Sequence, residues 1–245
     1  MQKGKSFIGN KLYKVFGNAD FRVGNLKLNL CIHSLIDQYI LLTGQYDSRI
    51  INEINISLAK GGIFIDIGAN IGYYSVVAAK LPNVRVLAFE PSPHETKRLL
   101  HNVQINGLEN VKLYPTALSN RTGTAILNLF GVDNPGKNSL LVDESSITKA
   151  IIVPCNRLDT LIEKSVMQQV NLIKIDVEGL EYEVLQGMED IVCNFKGKFI
   201  VEMNYTMTSI GAVNPDQIYQ WMAARNFKDK SGLPRKGQYD EIFVY

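Results

Sequence analysis

From residue 62 onward, short apolar runs of strand length alternate with stretches whose apolar positions recur at helical spacing. Ile63 to Ile67 reads as a buried strand and is followed by a helical pattern over 71–80 with Val76, Val77, Ala78 and Ala79 inward. Val84 to Phe89 is a second strand. A helix from Pro93 to Asn106 follows, with Leu99, Leu100, Val103 and Ile105 inward and Gly107 as its stop. Val111 to Tyr114 is a third strand and Asn171 to Ile175 a fourth. A helix over 179–189, a strand Lys198 to Asn204 and a helix over 215–225 come next. Asn226 to Asp229 and Glu241 to Tyr245 would close the sheet as a C-terminal hairpin. Strands alternating with helices predict an α/β fold, a mostly parallel sheet covered by helices on both faces.

Two regions depart from this rhythm. Before residue 62, Phe21 to Leu30 alternates like a strand or hairpin, and Ser34 to Leu42 and Ser48 to Ala59 read as helices ended by Gly61-Gly62. These helices are expected to cover one edge of a site. Tyr46 between them is a candidate lid residue, weighed against an ordinary packing tyrosine. Residues 120–157 break the alternation again. Thr124 to Phe130 and Ile151 to Pro154 predict a strand pair beside the site, joined by a turn-rich loop over 131–137, with Asn138, Ser139 and Leu140 directed inward. Arg157 to Leu161 starts a short helix. With no repeat, low-complexity tract or linker, residues 1–245 are read as one domain, with 1–60 as a cap region and 120–157 as a substrate-side insertion.

Composition narrows the class. Apolar residues make up 46% and charged residues 20% of the 245, which fits a globular chain with a sizeable core. A formal charge of +2 gives no strong case for nucleic acid or an anionic membrane. No apolar run approaches the roughly 18 residues of a membrane helix. Met1 to Lys5 carries lysines without an apolar stretch behind them, so no secretory signal is read. Cys31, Cys155 and Cys193 are odd in number and far apart, forming neither a metal spacing nor a disulfide framework. A reduced, cytoplasmic location is expected.

The chemistry begins at the end of the first parallel strand, in Asp66-Ile67-Gly68-Ala69-Asn70-Ile71-Gly72. Strand, glycine turn and helix open a nucleotide-binding βαβ unit. Glycines admit a close ligand, and the following helix offers free N–H groups. The spacing is not that of the dinucleotide fingerprint: Asn70 stands where a glycine belongs, and Gly72 falls one residue early. Asp66 would repel a pyrophosphate. S-adenosylmethionine has an ammonium and a sulfonium and no phosphate, so the charge favours it over NAD. Glu90, an acid about 20 residues further on at the end of the second strand, suits the two ribose hydroxyls of either ligand. Thr116 and Ala117, after the third strand, border the crevice and could flank an adenine through backbone groups.

A second cluster lies on the fourth strand. Lys174 and Asp176 are two apart and share a face of a strand that should be apolar throughout. Buried charges are paired, and two converging at a strand's carboxyl end suggest a functional pair, with a structural ion pair as the alternative. Glu178 and Glu181 follow at a helix start, where the dipole alone favours acids. Glu202 repeats the acid near a strand end on the fifth strand.

Phe64 to Ser75, Phe89-Glu90-Pro91 and Ile173 to Glu181 together resemble the FkbM-type methyltransferases, in the right order, over about residues 40–205. The resemblance implies the class I methyltransferase fold, Rossmann-like, with a seven-stranded sheet and a reversed last hairpin. It implies S-adenosylmethionine as methyl donor and a hydroxyl oxygen as acceptor. Members act on polyketides, sugars and glycan or glycolipid headgroups, so a sugar hydroxyl is the expected acceptor, with a polyketide or an RNA ribose 2′-hydroxyl as alternatives.

On this reading Glu90 holds the ribose, Gly68, Ala69, Asn70 and Gly72 underlie the amino-acid end of the cofactor, and Asp66 meets its ammonium directly or through water. The leaving thioether is neutral, so positioning matters most. The acceptor must still lose a proton, and a carboxylate base could contribute ~10²–10⁴-fold. Asp176 is the first choice, with Glu178 and Glu202 behind it and Lys174 orienting the base or the acceptor. These three carboxylates could instead hold Mg²⁺ or Ca²⁺. They are not a ligand set by themselves, so no metal ligand is assigned. An Asn/Asp-Pro-Pro-aromatic motif for base methylation is absent after the fourth strand.

Overall fold

The computed structural model describes residues 18–130, 139–141, 147–232 and 236–245. Strands β1 (Asn18–Val23) and β2 (Leu26–Cys31) form an antiparallel hairpin, followed by helices α1 (Leu35–Thr43) and α2 (Ser48–Ser57). The alternating part runs β3 (Gly62–Ile67), α3 (Tyr73–Ala79), β4 (Val84–Phe89), α4 (Pro93–Ile105) and β5 (Val111–Tyr114). Then come β6 (Ala117–Leu118), β7 (Gly123–Phe130), β8 (Ile147–Asn156), α5 (Leu158–Leu161), α6 (Lys164–Met167) and β9 (Val170–Ile175). The chain continues with α7 (Glu181–Gln186), α8 (Glu189–Val192), β10 (Lys198–Asn204), α9 (Asp216–Ala223), β11 (Lys228–Asp229) and β12 (Gln238–Val244). Among the described residues no helix is long and apolar enough to cross a membrane.

Seven strands form the main sheet in the order β11-β12-β10-β9-β3-β4-β5. The five strands from β10 to β5 are parallel, and β12 runs antiparallel to both β10 and β11, as the reversed C-terminal hairpin requires. Side-chain alternation divides β3 between two cores. Ile63, Ile65 and Ile67 pack with Val184, Leu185 and Trp221 on one face. Phe64 packs on the other with Leu28, Ile40, Ile54 and Val76. Asp66 shares that second face by its spacing from Phe64, and in the ladder its Cα lies opposite Lys174 of β9. β6, β8 and β7 make a separate three-stranded sheet; residues 131–138, and with them Asn138, lie outside the described residues.

Helix α4 differs from the expected pattern. Leu99 and Val103 are buried, but Leu100 is 44% exposed and Ile105 only half-buried, whereas Glu95, Arg98 and Asn102 are buried. The reason is its neighbour. The helix packs against the edge of β2, whose backbone groups need polar partners. Asn102 accepts from the Asn29 N–H at 2.6 Å, Asn106 accepts from the Lys27 N–H at 3.0 Å and donates to the Lys27 carbonyl, and Arg98 donates to the Asn29 carbonyl. Arg98 also pairs at 2.5 Å with Asp37, buried on α1 and accepting the Cys31 N–H. The helix expected over 179–189 is two short ones instead. At the break, a Cβ on Gly187 would lie 2.0 Å from the Ser119 carbonyl oxygen.

Candidate active site

The parallel strands end at one rim, and a cavity of about 410 Å³ opens there. That volume lies within the usual range for small-molecule sites. The turn residues Gly68, Ala69 and Asn70 line it, with Glu90, Thr116 and Ala117. So do Lys174, Asp176, Glu178 and Glu202. Two predicted residues do not reach it. Asp66 is 1% exposed beneath the turn, where Ser75 Oγ donates to its Oδ2 at 2.6 Å. Burial pushes its carboxyl up from the ordinary aspartate value, against the pull of Lys174. Gly72 caps α3 in the left-handed region, φ 79°, and a Cβ there would sit 2.6 Å from Leu99 Cγ. Gly68, also at φ 79°, lines the cavity, but its missing Cβ makes room for protein: the atom would lie 1.7 Å from the Asp176 carbonyl oxygen. Both glycines therefore serve close packing of the chain on itself.

Glu90 is held by its own loop. Asn70 N donates to Oε2 and Ser92 N to Oε1, each at 2.8 Å, and the side chain is buried. Burial pushes its carboxyl up to about 8 despite those two donors, helped by the charges of Glu95 and Asp66. Each oxygen keeps a lone pair for a further donor. Phe89 and Ile71 supply apolar lining beside it, and Phe89 stacks on Tyr114 at 4.6 Å.

On β9, Lys174 Nζ donates to Asp176 Oδ2 at 2.6 Å and lies 4.9 Å from the centre of the Tyr74 ring. Burial pulls the lysine down, but Asp176, Asp240 and Asp66 outweigh it and hold it above its ordinary value. The Asp176 turn is pinned by Glu181, whose Oε1 accepts from Val177 N and Gly179 N at 3.0 and 3.1 Å. This gives Glu181 a local structural task, and burial pushes it up to about 7. Glu178 sits at φ 57°, a backbone region uncommon for a residue with a Cβ, and Ser139 Oγ donates to its carbonyl at 2.7 Å. Glu202 on β10 accepts from Gln238 Nε2 at 2.6 Å, and burial followed by the charges of Asp176, Glu178 and Glu181 pushes it well above the ordinary glutamate value. Asp176, Glu178 and Glu202 offer oxygens within 4.8 Å of one another.

Tyr46 also lines the cavity. Its N–H donates to the Tyr73 hydroxyl at 2.9 Å, and its ring meets those of Tyr39, Tyr73 and Tyr74. Leu35, Ile36 and Ile40 of α1, with Leu127 and Leu140, add apolar lining. Sequence reasoning missed Asp240 and Gln238. Burial pushes Asp240 up to about 6, against the pull of Lys174.

The Methyltransferase FkbM domain matches residues 66–228, which span the glycine turn, Glu90 and the Lys174–Asp176 strand. The chain belongs to this family. Among similar curated proteins, the methyltransferase sdnD of Sordaria araneosa is 29% identical over 164 residues, 55% of this chain and 63% of that protein. The hexuronic acid methyltransferase AglP of Haloferax volcanii is 31% identical over 123 residues, 50% of this chain and 48% of that protein. The chain thus spans less than two thirds of the length of these curated relatives. The crystal structure of an FkbM methyltransferase from Methylobacillus flagellatus KT superposes with a TM-score of 0.52 at 15% identity, covering 76% of this chain and 44% of that one. The sheet order and that likeness give the class I methyltransferase fold.

Proposed function

We propose that this chain is an O-methyltransferase that moves the methyl group of S-adenosylmethionine to a hydroxyl of a saccharide. The observation that carries the reading is one cavity lined both by Glu90, which follows β4, and by the Lys174–Asp176 pair at the end of β9, β4 and β9 being the two strands that flank β3. A carboxylate with spare lone pairs beside Phe89 and Ile71 suits a nucleoside, with Thr116 and Ala117 at the adenine and Gly68, Ala69 and Asn70 under the amino-acid end. Asp66, in this reading, acts from beneath the turn through its charge, and Gly72 by seating α3.

The bound cofactor supplies an electrophilic methyl whose bond to sulfur breaks as a bond to the acceptor oxygen forms. The chain's residues position the acceptor and take its proton. Asp176 is the proposed base: Lys174 fixes its Oδ2, and its other oxygen takes no hydrogen bond among the described residues. Glu178 and Glu202 face the same space and rank behind it. A hydroxyl-rich acceptor suits a wall of carboxylates, and AglP's hexuronic acid substrate class supports a saccharide.

The test is thermal stabilisation by S-adenosylmethionine, S-adenosylhomocysteine and NAD, followed by methyl transfer to uronic-acid and neutral saccharides. Ligand at ~100 times its dissociation constant should add about 2.7 kcal/mol. A response to the two adenosyl ligands alone is expected, and a response to NAD alone would overturn the reading. Near-normal turnover in both Asp176→Asn and Glu202→Gln, with unchanged cofactor affinity, would remove the base assignment.

A further inference from the structure

Three carboxylates from two separate stretches of chain converge at one place in the cavity wall. Asp176 and Glu178 come from the turn after β9, and Glu202 from β10. Glu202 is buried, with 7% of its surface exposed. Gln238 occupies its Oε1, while Oε2 is buried with no hydrogen-bond partner among the described residues. A buried acceptor left unmade costs about 1–3 kcal/mol, and more when charged. The nearby cation, Lys174, is bonded to Asp176 and also faces Asp66 and Asp240.

We propose that Asp176, Glu178 and Glu202 bind a hard divalent cation, of the Mg²⁺, Mn²⁺ or Ca²⁺ kind. All three donors are oxygens, the ligand type such ions take. Two oxygens on one ion can be separated by at most the sum of two metal–oxygen bonds, about 5 Å for Ca²⁺ and about 4 Å for Mg²⁺. The three offered oxygens lie within 4.8 Å of one another, so side-chain shifts of no more than a few tenths of an ångström place them around a Ca²⁺-sized sphere. A side-chain shift of less than about 1 Å suffices for Mg²⁺. Glu202 would give its unpaired oxygen, and Gln238 would hold the other. Asp176 would give the oxygen that Lys174 does not use.

Six or more ligands are normal for these ions, so the protein leaves positions open toward the cavity. Two adjacent oxygens of an acceptor, such as vicinal hydroxyls or a hydroxyl beside a carboxylate, would fill them. The cation would then make the hydroxyl more acidic and take over the task given to Asp176, whose free oxygen it would occupy. That consequence rests on the methyl-transfer reading; the binding site does not.

The experiment is electron paramagnetic resonance of Mn²⁺ added to the EDTA-treated full chain, with Mg²⁺ and Ca²⁺ as competitors. One Mn²⁺ per chain is expected, displaced by either competitor, and the stronger competitor identifies the preferred size. Glu202→Gln and the more exposed Glu178→Gln should each weaken Mn²⁺ by about tenfold or more. Absence of bound Mn²⁺ in the wild type, or unchanged affinity in both variants, overturns the site. Thermal shifts with S-adenosylmethionine on the same samples separate the two readings. A cofactor response without Mn²⁺ binding removes the cation site alone; Mn²⁺ binding without a cofactor response keeps it and removes the methyl-transfer reading.

Discussion

Lys174 and Asp176 meet at 2.6 Å, yet the lysine side chain is 2% exposed and the aspartate side chain 32%. The pair is therefore unequal. The lysine also faces the buried Asp66 and Asp240, while the aspartate reaches the cavity. Lys174→Met should leave several carboxylates without their cation and cost about 3–5 kcal/mol. Asp176→Asn leaves Lys174 two other acids and should cost only about 1 kcal/mol. Urea denaturation of both variants checks the order; equal losses would show that the pair acts as a simple structural bridge.

Glu90 makes a pH prediction. Its folded value of about 8 lies above the ordinary 4.5, because burial disfavours the anion. The neutral form is favoured in the fold, so its contribution to stability is fully present below about pH 4.5 and is lost as pH rises through about 8. Donors on a ribose favour the anion, so affinity for S-adenosylmethionine should rise with pH and level off above about 8. Calorimetric titration across this range, beside Glu90→Gln, reads both effects. The variant should bind weakly and show a flatter dependence of both melting temperature and affinity; a wild-type affinity that ignores pH would count against the ribose role.

Gly68→Ala tests the packing role of the turn. The new methyl would meet the Asp176 carbonyl oxygen at 1.7 Å in a backbone region that disfavours a Cβ. A loss of about 2–5 kcal/mol is expected, with turnover falling further because Asp176 must shift. Gly24→Ala is the control: its φ is similarly positive at 59°, but nothing lies within 4 Å of the new atom. It should cost about 1 kcal/mol. Equal melting temperatures for the two variants would refute the steric explanation.

The strands were legible because buried parallel strands are apolar runs, and β3, β4, β5, β9 and β10 fall where those runs do. The acids at their carboxyl ends were legible because a charge in such a run is out of place. Asp240 was not, because its position depends on a long-range pairing: in the ladder it lies opposite Glu202, a partner that residue spacing cannot reveal. Arg98 and Leu100 changed places on α4 for a similar reason. Helical periodicity marks an inward face, but what faces it here is the polar edge of a strand, and an apolar rule chooses the wrong residues.

That contact has one more consequence. Arg98, Asn102 and Asn106 stand one helical turn apart and engage the backbone of β2, largely independent of its side chains. The hairpin is thus seated like a cassette on a rail. Its outward side chains, and those of α1 beyond it, can be exchanged while the seat stays fixed. A different hairpin and first helix could be grafted onto α4, provided two partners travel with the graft: the acid that answers Arg98, and a β2 register that returns the backbone N–H and carbonyl groups of positions 27 and 29 to the three polar teeth.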